Sequence, residues 1–247
     1  SCAHCRLTIK KNFHTGELIE RQEAVPHSRP YMVLLERHMQ DGKTKYCGGF
    51  LLNEDFVMTA AHCKASSYTV LLGVHNISNS NGVQRISVEQ TFPHEDYNET
   101  DFNNDIMLLK LSSKAKFRAN VRPIALAGQD VGSLPKSCIV SGWGKTNKTI
   151  SYMSVLMEVN VTLIDSKQCP TNNMYCSKGE TGLNKGDSGI PLVCENGKVY
   201  GLGSHIFLPD SGGPKINCFT KIPDNRSWID STIENALKGN IMFCLAS

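Results

Sequence analysis

The 247-residue chain is 40% hydrophobic and 20% charged, with ten cysteines, twenty glycines and ten prolines. That mixture can bury a core and excludes disorder as a description of the whole chain. A net charge of +3, without a clustered basic stripe, argues against nucleic acid as a partner, and no apolar run approaches the roughly 18 residues of a membrane span.

The chain begins at Ser1, and residues 1–17 lack the apolar core of a signal peptide, so this stretch reads as the remnant of a leader or pro-segment. Cys2-Ala3-His4-Cys5 has no second cysteine pair at zinc spacing, so neither a metal nor a cofactor is expected. From Pro30 onward, short β-branched runs alternate with Gly, Asn, Asp and Pro: Tyr31 to Leu35, Phe56 to Ala60, Tyr68 to Val74, Gln84 to Val88, Ile106 to Leu111, Cys138 to Trp143, Val155 to Ile164, Val193, and Val199 to Leu202. The pattern is all-β. The polar stretch from Ser112 to Lys136 is the natural linker between two β halves. Only the C-terminus reads as a long helix, with Trp228, Ile229, Ile233, Ala236 and Leu237 on one face.

Ten cysteines at this chain length suggest an oxidising compartment. Five Asn-x-Ser/Thr triplets, at Asn76, Asn98, Asn147, Asn160 and Asn225, are glycosylation candidates consistent with it.

Three segments carry chemistry: Thr59-Ala60-Ala61-His62-Cys63, Asn104-Asp105-Ile106, and Gly186-Asp187-Ser188-Gly189. A serine hydroxyl is a weak nucleophile at neutral pH. It needs an imidazole to accept its proton, and that imidazole needs a carboxylate to fix its tautomer. Singly, each segment has an ordinary reading as a surface histidine, a strand-edge carboxylate or a tight turn; together, in this order, they are specific.

These segments, with Pro26-His27-Ser28-Arg29-Pro30-Tyr31-Met32, Cys47-Gly48-Gly49-Phe50-Leu51, Ser141-Gly142-Trp143-Gly144 and Pro191-Leu192-Val193-Cys194, resemble the chymotrypsin-like serine proteases, in particular the granzyme and mast-cell protease branch. The resemblance runs from about His14 to Lys238. It implies two six-stranded antiparallel β-barrels with the active site in the cleft between them and a C-terminal helix. The domain division would be residues 1–17 as leader, then 18–247 as the protease domain, with barrels over about 18–120 and 121–247. His62 would be the general base, Asp105 its orienting carboxylate and Ser188 the nucleophile, with the Gly186 and Ser188 N–H groups as the oxyanion hole. The resemblance also implies the disulfides Cys47–Cys63, Cys138–Cys194 and Cys169–Cys176, leaving Cys2, Cys5, Cys218 and Cys244 unassigned. It further implies a secreted or granule-stored monomeric zymogen, with protein or peptide substrates and serine protease inhibitors as partners.

Three departures from the family pattern bear on activity. Cleavage after Glu17 would free an amine at Leu18 to pair with Asp187, yet Glu20 and Arg21 stand where the family has two glycines. Ile190 replaces a glycine after the nucleophile and is expected to disturb that turn. In the substrate pocket Gly182 forms the floor, Ser204 and Asn217 are polar wall residues, and Ile206 replaces a glycine and narrows the entrance. These features predict a small or medium uncharged residue at the cleaved position. The alternative function is a catalytically impaired homologue that acts as a binding or decoy protein.

Overall fold

A computed structural model of the chain describes residues 21–130, 132–145 and 154–245, with side chains as far as 239. Residues 1–17 with Cys2 and Cys5, Leu18, Asn147, and the side chain of Cys244 lie outside these described residues.

After the edge strand β1 (Gln22–Glu23) come β2 (Met32–His38), β3 (Thr44–Leu51), β4 (Phe56–Thr59), β5 (Ser67–Leu72), β6 (Gln84–Pro93) and β7 (Met107–Leu111). The last six close into an antiparallel barrel in the order β2-β3-β4-β7-β6-β5. The second half contains β8 (Ser137–Gly142), β9 (Met157–Thr162), β10 (Met174–Lys178), β11 (Pro191–Cys194), β12 (Val199–Phe207) and β13 (Ile216–Lys221). These six form one curled sheet, β9-β8-β11-β12-β13-β10, to which β1 adds a seventh strand beside β9. Its open side is drawn together by a bond from Ile164 N–H, just past β9, to Cys176 O on β10. The fold is mostly β, with two barrel-like sheets and one C-terminal helix, α1 (Arg226–Leu245).

The apolar runs of the first barrel are continuous rather than alternating because both of their faces are covered. On β2, Val33 and Leu35 fill the barrel interior while Met32 and Leu34 point outward into a second cluster. β7 divides in the same way, with Met107 and Leu109 inside and Leu108 outside. The outward residues pack with Val140, Leu192 and Phe219 of the second half, so one core spans both. Strand alternation thus gives each barrel wall an inner core and an outer interface.

Four strands were not legible as runs, the first being β1, which is only Gln22–Glu23. β3 is interrupted by Gly48 and Gly49, while β10 and β13 intersperse polar residues that become buried only when Ser177 and Asn217 pair across them. The predicted linker from Ser112 to Lys136 is held as a strap: Ala115 N–H donates to Glu54 O, Ile124 N–H to Leu51 O, and Ala127 N–H to Val199 O. On α1, Ile229 is buried, and Trp228, Ile233 and Ala236 pack against the core. Leu237, expected on that face, is instead 42% exposed, because the helix there has passed the edge of the core.

The sulfurs of Cys47–Cys63, Cys138–Cys194 and Cys169–Cys176 are bonded in pairs, whereas Cys218 is a buried free thiol. Asn225 corrects the glycosylation reading: it is buried and its side-chain amide donates to Lys221 O, which leaves no room for a glycan in the folded chain. Asn98 and Asn160 are exposed and Asn76 half-buried.

Candidate active site

His62, Asp105 and Ser188 come from three connections that face one another where the halves meet. His62 follows β4 in a tight turn closed by Cys63 N–H donating to Ala60 O, with Cys63 tethered to β3. Asp105 lies two residues before β7, after two residues near it in the left-handed region, Phe102 (φ 59) and Asn104 (φ 55). Ser188 lies in the turn before β11, and its carbonyl accepts from Gly48 N–H of β3 at 2.8 Å. That bond joins the serine turn to the opposite barrel.

His62 Nδ1 lies 2.6 Å from Asp105 Oδ2, and His62 Nε2 lies 2.7 Å from Ser188 Oγ. An ionised carboxylate can only accept, so Nδ1 carries the ring proton; Nε2 of the neutral ring then accepts from the serine hydroxyl. Asp105 is fully buried, and its charge is met by three donors: His62 N–H on Oδ1, and His62 Nδ1–H with the Ser204 hydroxyl on Oδ2. Such a carboxylate is held rigidly, because every displacement breaks a charge-assisted bond in a dry site.

Asp187, beside Ser188, is also fully buried. Oδ1 accepts from Gly144 N–H at 2.9 Å, and Oδ2 accepts from Asn184 N–H at 2.8 Å and Arg21 Nη2 at 2.6 Å. The same Arg21 nitrogen donates to Gly182 O. A Cβ at Gly144 would lie 2.4 Å from Asp187 Oδ1, so the Gly-Trp-Gly segment needs glycine there for the carboxylate to reach the backbone. Neither the Gly186 nor the Ser188 N–H donates to a group among the described residues.

The expected disturbance at Ile190 is not found. Its side chain is 1% exposed and occupies space left by Gly48, whose hypothetical Cβ would sit 2.4 Å from Ile190 Cγ2. The turn keeps its bonds, Ile190 N–H to Asp187 O and Gly189 N–H to Gly203 O.

The sequence-predicted pocket residues divide. Gly182 is adjacent to Asn217, but the Asn217 amide is spent on its own loop: Nδ2 reaches Ser177 Oγ, Gly179 O and Thr181 O, and Oδ1 accepts from Leu183 N–H. Ser204 likewise gives its hydroxyl to Asp105, so neither acts as a free polar wall. Ile206 pairs with Asn217 across β12 and β13 and is half-buried. Lys215, just before β13, donates its ammonium to Leu183 O; burial lowers its pKa, opposed by Glu180.

Sequence reasoning marked Arg21 only as a replaced glycine and missed its pairing with Asp187, for which its cationic side chain at a glycine position was the available signal. It also missed an aromatic shelf. Phe102 meets His62 edge-on at 5.9 Å and stacks on His205 at 4.3 Å. Burial lowers the His205 pKa, an effect opposed by the nearby Asp105 charge.

The chain and its fold match known proteins closely. The family model described as Trypsin matches residues 18–229. The chain belongs to the trypsin family of serine proteases and, within it, is granzyme-like. It is 39% identical to Granzyme B(G,H) of Mus musculus, covering 93% of this chain and 96% of that one, and 40% identical to Granzyme B of Homo sapiens, covering 89% and 92%. A solved structure, "Structure of GrC", aligns with a TM-score of 0.77 at 38% identity, covering 88% of this chain and all of that one. Among the described residues no helix is long and apolar enough to cross a membrane.

Proposed function

We propose that the chain is a serine endopeptidase that cleaves peptide bonds through an acyl-enzyme. Ser188 Oγ attacks the scissile carbonyl as His62 Nε2 takes its proton. Asp105 keeps the imidazole in the required tautomer and stabilises the imidazolium that forms. The Gly186 and Ser188 N–H groups receive the oxyanion; a single such donor is commonly worth about 100- to 1,000-fold in rate. The protonated His62 then gives its proton to the leaving amine, and a water deprotonated by the same ring hydrolyses the ester.

The observation that carries this reading is the pair of bonds centred on His62, 2.6 Å to Asp105 and 2.7 Å to Ser188. At the cleaved position we expect a small or medium uncharged side chain, since Gly182 brings no charge to the floor and Asn217 is committed to its own loop. The rest of the reading is a secreted or granule-stored monomer with a removable leader over residues 1–17 and a protease domain from residue 18, divided near 120. Glycans would sit on Asn76, Asn98, Asn147 or Asn160, and serine protease inhibitors would be partners.

A fluorophosphonate probe tests the proposal. Labelling that maps to Ser188 and disappears in Ser188→Ala is the expected result. A folded protein that stays unlabelled after removal of residues 1–17 would instead fit the binding or decoy role.

A further inference from the structure

The proposed mechanism makes no use of Arg21. Arg21 directly precedes β1, whose pairing with β9 (Gln22 opposite Glu158) and whose continuation, Ala24 N–H to Leu156 O, fix where its side chain enters the protein. From there the guanidinium is 6% exposed and is paired at 2.6 Å with the fully buried Asp187. A buried carboxylate without a cation is strongly unfavourable, and here a side chain supplies the cation. Through Nη2 the same group holds Gly182 O, so one nitrogen ties together the residue before the nucleophile and the pocket floor.

Resting on the serine-peptidase reading above, we propose that Arg21 is the positioning residue that holds Asp187, and through it the Ser188 turn and the Gly186 and Ser188 N–H groups, in the competent arrangement without a free amine at Leu18. The uncleaved chain then already carries a working site. Removal of residues 1–17 releases or trims the protein but does not create the cation. Among the described residues only Nη2 of Arg21 makes polar contacts, with Nε and Nη1 buried without partners. The site therefore uses a positive charge with a single donor, and a lysine ammonium can replace it in part.

The experiment compares the full chain, verified by intact mass to retain residues 1–17, with a form beginning at Leu18. Each is prepared as the parent and as Arg21→Gln and Arg21→Lys. The readouts are the rate of fluorophosphonate labelling at Ser188, hydrolysis of a small thioester, and thermal unfolding. The expected result is that the uncleaved parent labels within about threefold of the Leu18 form, that Arg21→Gln slows labelling by about tenfold or more, and that Arg21→Lys recovers part of the loss. A fall in melting temperature without a change in labelling rate would assign Arg21 a merely structural role and overturn the proposal.

If the Leu18 form labels while the uncleaved parent does not, the amine is the required cation; the proposal falls and the peptidase reading stands. If neither form labels although both unfold cooperatively, the peptidase reading falls and the proposal with it. Should Arg21→Gln fail to fold, Arg21→Lys and the comparison of the two chain lengths still decide.

Discussion

The Ser204 hydroxyl donates to Asp105 Oδ2 at 2.7 Å, the same oxygen that receives the His62 ring proton. A residue assigned by sequence to the substrate pocket thus fastens the carboxylate that orients the imidazole. Ser204→Ala should lower kcat about 10-fold with KM nearly unchanged, since a bond to a buried charge is worth about 1.5–3 kcal/mol. Asp105→Asn should lower it about 10,000-fold, by presenting the wrong tautomer to Ser188. Steady-state kinetics on one ester substrate compare the two; equal losses would contradict a supporting role for Ser204.

Ile190 and Gly48 are complementary in volume. Gly48→Ala should destabilise by about 1–3 kcal/mol through overpacking against Ile190 Cγ2. Ile190→Ala should cost about 2–4 kcal/mol through the cavity it leaves. The double variant should be less destabilised than the sum of the singles, because each change relieves the other. Ile190→Gly should bring no gain in turnover. A large gain in purified protein would show that the native isoleucine impairs the site.

Asn217 anchors the loop that carries Gly182. Asn217→Ala leaves Leu183 N–H without its acceptor and should cost about 1–3 kcal/mol. For a chain of this size that lowers the melting temperature by about 2–4 °C per kcal/mol. Substrate binding should weaken more than kcat, because the pocket floor loosens while the triad stays in place. Calorimetry with kinetics on the same preparation checks both parts.

Burial raises the Cys218 thiol pKa from 9.0 to about 12. The folded state therefore keeps this proton where the unfolded chain loses it. The contribution is complete below pH 9 and is lost as the pH rises toward about 12. Urea unfolding from pH 8 to 11 should show falling stability, with a shallower slope in Cys218→Ala. Tyr31 and Tyr175 are raised in the same direction by burial, so the difference between parent and variant isolates the thiol. In the native state iodoacetamide should not modify Cys218 at pH 8, since a buried protonated thiol is a poor nucleophile.

Much of the fold was legible in local pattern. The runs at Tyr31 to Leu35 and Ile106 to Leu111 became β2 and β7, and the stripe at Trp228 and Ile229 became the docked face of α1. β13 and the Asn217 network were not legible, because polar side chains inside a sheet are explained only by partners distant in sequence, such as Ser177 and Leu183.

The sequence by itself determined the family, the β character and the three segments that meet at His62, because these depend on residue identity and order. Only the tertiary structure decided what surrounds them. It placed Ser204 on Asp105, seated Ile190 against Gly48, and brought Arg21 across 166 positions to Asp187. A buried charge takes whichever partner the fold delivers, and that choice is set by strand pairing rather than by the neighbours along the chain.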